Sequence, residues 1–307
     1  MIVVQCPGQG AQSPGMLSAW LDEPGREFLT ELSEAAGLDL VELGTTATAE
    51  QIKNTAFAQP LIVAAGLLAW RALGGLGEQR SGLVADVALV AGHSVGEITA
   101  AAVAGSLSPA DAVRLAAARG AAMAAAAEAG QTGMSAVVGG DPAEVIAAIE
   151  TAGAHPANLN GPGQIVAAGE RAALEALAAN PPAKARVIAL EVHGAFHSPA
   201  MVPAVAPVKE ALAALELRDP TIRLLSNRGG ATLSCGADVA EGIAHQITST
   251  VDWTACCQQM SAAQPELLVE LAPAGVLTRI AKRAVPGVRA VAVNSPADAA
   301  ALIEEKK

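Results

Sequence analysis

Apolar positions fall along the chain in short runs and longer blocks whose spacing predicts alternating strands and helices. Ile2 to Cys6 is a β-rich run that stops at Pro7-Gly8-Gln9-Gly10, as a buried strand does when it feeds a tight loop. After Gln59-Pro60 the apolar block Leu61 to Leu73 is long enough for a buried helix, and Asp86 to Ala91 reads as a second core strand. Strand, helix, strand points to α/β layering. Ser108-Pro109-Ala110-Asp111 supplies an N-cap, a proline at N1 and an acid at N3, so a helix is expected from there to Glu128. Between Gly133 and Val192 the pattern shortens: strands at Met134 to Val138, His155 to Asn160, Gln164 to Ala168 and Arg186 to Leu190 alternate with helices starting at Asp141 and Glu170. That order, β-α-β-β-α-β, is ferredoxin-like. It marks residues 130–192 as an inserted subdomain and 1–129 with 193–307 as the main layer, whose later strands are Ile222 to Ser226, Leu267 to Leu271 and Arg289 to Val293.

Composition narrows the function classes. Of 307 residues 52% are hydrophobic and 16% charged, against roughly 25% charged in a typical globular chain, so the chain is expected to fold. Aromatics are 2% with no tyrosine, and the net charge is −11. A base-stacking platform and a phosphate-binding surface are both disfavoured, and nucleic acid is not expected as a partner. The mean hydropathy of +0.39 raises the question of a membrane. No uninterrupted apolar run approaches the ~18 residues of a spanning segment; the nearest, Leu61 to Trp70, closes at Arg71. Met1 to Leu21 lacks a basic start and is broken by Pro7, Gly8, Gly10, Pro14 and Gly15, so neither an export signal nor a membrane partner is expected. Cys6, Cys235, Cys256 and Cys257 form no spaced framework, which favours a reducing, cytoplasmic setting and no metal.

The chemistry is concentrated where Val87 to Ala91 runs into Gly92-His93-Ser94-Val95-Gly96 and then a helix-compatible segment. Strand, G-x-S-x-G, helix is the context of a nucleophile elbow, and it extends the fold expectation to an α/β-hydrolase-like core of mainly parallel strands. The glycines let the backbone turn sharply, with the helix N-terminus behind the hydroxyl. A serine nucleophile needs a base, and His93, His155, His193, His197 and His245 are available. Spacing alone does not choose. His93 is too close in sequence to face Ser94 and is expected to line the pocket; His197, in a loop after the insert, is favoured, with His193 its nearest rival.

The residues now quoted resemble malonyl-CoA:acyl carrier protein transacylases and the related acyltransferase domains of polyketide synthases, over essentially the whole chain. The likeness is carried by Pro7-Gly8-Gln9-Gly10, by Gly92-His93-Ser94-Val95-Gly96-Glu97 and by Arg119-Gly120. Asn158-Leu159-Asn160 with Pro162-Gly163-Gln164, Ala195-Phe196-His197-Ser198-Pro199, and Gln246 seven positions before Trp253 complete it. The resemblance implies that Ser94 takes the acyl group and that His197 is its base and later acid. It implies that the main-chain oxygen of Gln246 orients the imidazole, that the amides of Gln9 and Val95 hold the oxyanion, and that Arg119 grips the free carboxylate of malonate. Malonyl-selective relatives carry an Ala-Phe-His loop and an aliphatic residue after the serine, as Ala195-Phe196-His197 and Val95 do here; the resemblance implies that Phe196 would crowd an α-methyl branch and that Asn160 would line the acyl pocket. No cofactor is implied beyond the coenzyme A thioester as substrate; the partners are malonyl-CoA and an acyl carrier protein.

Carrier proteins are usually acidic, so a docking surface must oppose the average charge. Arg279, Lys282 and Arg283 fall at i, i+3 and i+4 and would share one helix face. Two rival functions are weighed against transfer. One is an esterase using Ser94, Asp219 or Asp238, and His245 in that order; the other is a non-catalytic scaffold on the same fold.

Overall fold

The computed structural model describes residues 1–76, 82–192 and 194–306. The chain opens with strand β1 (Ile2–Cys6), buried at every position. Four helices follow: α1 (Glu23–Ala36), α2 (Leu40–Thr45), α3 (Ala49–Lys53) and α4 (Thr55–Ala72). The side chains of Asp22, Asp39, Thr48 and Asn54 each accept an N–H at one of these helix starts, satisfying donors that a helix leaves open. Helix α4 starts at its Asn54 cap rather than at Pro60, which lies inside it. Pro60 forgoes one helix bond, and the burial of α4 from Ala58 to Trp70 offsets it. Among the described residues α4 is long and apolar enough by length and composition to cross a membrane, and 78% of it is buried inside the protein.

Strand β2 (Val87–Gly92) passes through a three-residue turn into α5 (Gly96–Val103), and α6 (Pro109–Glu128) follows. The Ser108 hydroxyl accepts the Asp111 N–H at 3.1 Å, at the cap position its sequence predicts. Next come β3 (Thr132–Gly139), α7 (Pro142–Thr151), β4 (His155–Leu159), β5 (Gln164–Glu170), α8 (Arg171–Ala179) and β6 (Ala185–Ala189). The chain then runs through α9 (Val202–Ala213), β7 (Arg223–Leu225), β8 (Thr232–Leu233), α10 (Gly236–His245), β9 (Val251–Asp252) and α11 (Trp253–Ala262). It ends with β10 (Leu267–Leu271), α12 (Val276–Ala284), β11 (Arg289–Val293) and α13 (Pro296–Glu305).

The fold is mixed α/β with two sheets. The first has the order β11-β10-β1-β2-β7-β8, parallel throughout except for β8. Apolar side chains of β1, β2 and β10 fill its core with those of α4, α5 and α6. The second sheet has the order β6-β3-β5-β4-β9. Its first four strands are antiparallel and share a small apolar core with α7 and α8, built on Val137, Val145, Ile149, Ile165 and Leu177. Its fifth strand, β9, pairs parallel to β4 at Asn158 and Val251 and comes from a distant part of the chain. A two-residue strand offers no alternation to read in sequence.

Sheet register brings the chemistry together. Cys6 pairs with Gly92, so the Pro7 to Gly10 loop and the Gly92 to Gly96 turn leave the sheet side by side at its carboxyl end. In parallel α/β sheets that end is where ligands bind.

Candidate active site

Ser94 occupies a turn held by contacts that allow no side chain. A Cβ on Gly92 would lie 2.0 Å from the Gly96 carbonyl carbon, and one on Gly96 would lie 2.2 Å from the Cys6 oxygen. The helix start is therefore wedged against the end of β1, and Ser94 is driven to φ +52°, a region that costs a non-glycine residue about 1–3 kcal/mol. Asn227, just after β7, braces the turn: its Oδ1 accepts the Ser94 N–H at 2.8 Å and its Nδ2 donates to the Gly92 oxygen at 2.7 Å.

His197 also has positive φ, +59°. Its Nε2 lies 2.7 Å from Ser94 Oγ and its Nδ1 lies 2.6 Å from the Gln246 main-chain oxygen. A carbonyl can only accept, so Nδ1 carries the proton and Nε2 is left to accept from the serine hydroxyl. Burial, helped by the charge of Arg119, pushes His197 down to about 3.

Arg119, on α6, is 1% exposed. Gly120 beside it lets α6 approach α4 closely, since a Cβ there would lie 2.7 Å from the Thr55 oxygen. The guanidinium donates from Nη1 to Gln59 Oε1 at 2.7 Å and from Nη2 to Gln246 Oε1 at 2.8 Å, and Nη2 is 3.4 Å from Ser94 Oγ. Its Nε–H is buried without a partner among the described residues. Burial lowers the group to about 10, opposed by attraction to Glu97, so it is a cation at neutral pH whose hydrogen bonds go to neutral oxygens.

A cavity of about 470 Å³ opens over Ser94. Gln9, His93, Ser94, Val95, Asn160, Phe196 and His197 line it, while Arg119 and Gln246 lie behind Ser94 and His197. Neither the Gln9 nor the Val95 amide donates to a protein acceptor among the described residues. The ring of His93 is held by Asn160 Oδ1 at 2.8 Å and by an edge contact with Trp253. His193 lies outside the described residues. His155 contacts Thr250 at 3.5 Å, and His245 is exposed at the end of α10. The alternative triad is not assembled: Asp219 accepts the Gly236 N–H and Asp238 the Ser234 N–H. Arg279, Lys282 and Arg283 are exposed on α12 and form no ion pair among the described residues.

Three residues at the site carry tasks that sequence reasoning left unassigned. Gln59 holds Arg119, Asn227 braces the elbow, and Glu97 is buried against both Asn227 and Gln246. Asn227 had a readable signal, a polar residue directly after a predicted parallel strand. Gln59 had none, because its partner is 60 positions away.

Residues 3–303 match the family described as Acyl transferase domain. The chain is 50% identical over 299 residues to the malonyl CoA-acyl carrier protein transacylase of Mycobacterium tuberculosis, covering 97% of this chain and 98% of that one. It superposes on the crystal structure of MCAT from the same organism with a TM-score of 0.94 at 49% identity, over 99% of each chain. A malonyl-transacylase solved in complex with a type II PKS acyl-carrier protein superposes with a TM-score of 0.89 at 28% identity, again over 99% of each chain.

A histidine buried as the neutral form adds stability that is complete above about 6.5 and is lost as the pH falls toward about 3. The ring ¹⁵N shifts of His197 at about pH 5, where a free histidine is charged, are expected to be those of a neutral imidazole protonated at Nδ1. An imidazolium spectrum there contradicts the assignment.

Proposed function

The chain belongs to the acyl transferase domain family, and from that premise we propose that it moves a malonyl group from coenzyme A to the phosphopantetheine thiol of an acyl carrier protein. The observation that carries this is the 2.7 Å contact between Ser94 Oγ and an imidazole whose other nitrogen is committed to a carbonyl, next to a buried arginine.

In the first half-reaction Ser94 Oγ attacks the thioester carbonyl and its proton passes to His197 Nε2. The oxyanion is held by the amides of Gln9 and Val95, the second at the start of α5 where the helix dipole adds to the field. The C–S bond breaks, the proton returns from His197 to the departing coenzyme A sulfur, and malonate is left esterified to Ser94. The carrier thiol then repeats the sequence in reverse, giving its proton to His197 and attacking the ester. The imidazolium formed in each half is stabilised by the Gln246 carbonyl, a neutral counterpart of the usual aspartate. Arg119 receives the free carboxylate of the malonyl group, which its unpartnered Nε–H and its bonds to neutral oxygens leave it able to do. Phe196 and Val95 narrow the cavity where an α-methyl would lie; one methyl is worth about 1–3 kcal/mol of discrimination. His93 and Asn160, hydrogen-bonded to each other, form a polar wall of the same cavity.

The same proposal divides the chain into an α/β-hydrolase-like core, residues 1–129 and 193–307, and a ferredoxin-like subdomain, residues 130–192. The order β6-β3-β5-β4 and the separate apolar core of that segment support it. A cytoplasmic setting, free cysteines and a reaction needing no cofactor beyond the coenzyme A substrate belong to this proposal as well. The basic face of α12, unpaired among the described residues, suits an acidic carrier.

Radiolabelled malonyl-CoA is expected to leave label on Ser94, to lose it rapidly to a carrier thiol and slowly to water; label released by water as fast as by carrier favours the esterase instead. Arg119→Ala is expected to lose malonyl loading and gain loading of uncharged acyl groups in a thioester competition, and unchanged malonyl selectivity removes its assigned role. Reversing the charges of Arg279, Lys282 and Arg283 together is expected to raise KM for the carrier while leaving KM for malonyl-CoA unaltered, with the difference shrinking as salt is added.

A further inference from the structure

Glu97 lies three residues beyond Ser94 on the first turn of α5 and is 3% exposed, yet the mechanism above gives it no task. One of its oxygens accepts the Asn227 N–H and the other accepts Gln246 Nε2–H. Both partners are donors, and a further side-chain hydrogen bond runs to Ser226, so these contacts favour the ionised carboxylate, which has lone pairs for all of them. Gln246 makes that preference matter. Its Nε2 also donates to the Ser94 carbonyl at 3.1 Å, its Oε1 accepts from Arg119 Nη2 at 2.8 Å, and its main-chain oxygen accepts from His197 Nδ1 at 2.6 Å. Turned over, the same amide would set its NH₂ against the guanidinium and its oxygen against the Ser94 carbonyl and the carboxylate.

We infer that Glu97 is a positioning residue: by accepting from Gln246 it holds that amide in the orientation that keeps both Arg119 and His197 aligned on Ser94, an inference that rests on the malonyl-transfer function proposed above. Two titratable groups act on it, the Arg119 guanidinium from α6 and the Cys256 thiol from α11; Asn227, Ser226 and Gln246 are uncharged. Burial pushes the carboxyl up to about 7 against the pull of these hydrogen bonds and of Arg119. A proton added there removes the charge and a lone pair that hold the Gln246 amide, so the alignment loosens as the pH falls through that range.

Glu97→Gln keeps the shape but gives one of the two donors an NH₂ to face; Glu97→Asp keeps the carboxylate. For wild type and both variants, competent sites are counted by the mass of the malonyl-Ser94 adduct, and kcat and KM for malonyl transfer per competent site are followed from about pH 5.5 to about 9. Wild type is expected to lose kcat below pH 7. E97Q is expected to fall by about 10- to 100-fold in kcat per labelled site, the cost of a small misplacement at a reacting centre, and to lack the acid limb. E97D is expected to recover the limb at a displaced pH. An E97Q protein with wild-type kcat per labelled site and an unmoved acid limb overturns the inference, even if fewer sites label or the Tm drops, because those two losses are what a merely structural role predicts. A wild-type protein that carries no malonyl on Ser94 overturns the parent proposal and this one with it.

Discussion

At the carboxyl end of the first sheet, the start of α5 rests directly on the carbonyl of Cys6, with Gly96 at the contact and Gly92 facing it across the turn. No side chain fits at either position. From that contact the rest of the site follows: Ser94 takes a left-handed conformation, its hydroxyl leaves the turn toward His197, and the Gln9 loop at the end of β1 is carried to the same place by the pairing of Cys6 with Gly92. A strained residue persists where its surroundings over-determine it. Here the Asn227 amide and the neighbouring strand do so, and the strain is a consequence of packing the Ser94 hydroxyl where the helix dipole can act.

The second organising feature is an isolated positive charge behind that serine. Burying a guanidinium is costly unless it is hydrogen-bonded and compensated. Arg119 receives amide oxygens from Gln59 and Gln246 in place of a direct carboxylate, and the acidic Glu97 compensates it through space and through Gln246. A cation solvated by neutral oxygens retains its attraction for an incoming carboxylate, whereas one locked in a bidentate ion pair would have to exchange partners. Burial, and then the same field, oppose protonation of His197 and keep its Nε2 free to accept. One buried charge thus stands beside the Ser94 hydroxyl and adds to what burial does to the imidazole.

Local chemistry was legible wherever an element is defined by its own residues. The strand Ile2–Cys6, the Ser108 cap and the Gly-x-Ser-x-Gly turn are found where propensity and capping place them, because each rests on contacts within a few residues. Helix α4 begins six residues before the apolar block Leu61 to Leu73 that reveals it, because the Asn54 side chain that caps it lies outside that block. Strand β9 has two residues and pairs with β4 more than ninety positions earlier. Nothing in its own composition distinguishes it from loop.

The amino-acid sequence by itself determined the α/β layering, the elbow with its serine, and, through motifs in a family's order, that Ser94, His197, Arg119 and Gln246 come together there. Those properties are encoded in local backbone preference and in the identity of side chains. Tertiary structure alone decided that Asp219 and Asp238 accept backbone N–H groups instead of joining a triad, and that Gln59, Asn227 and Glu97 belong to the site. The bonds that bring in Gln59, Asn227 and Glu97 join residues 60 to 149 positions apart. Their distances are set by how strands align and helices pack, and no periodicity along the chain records them.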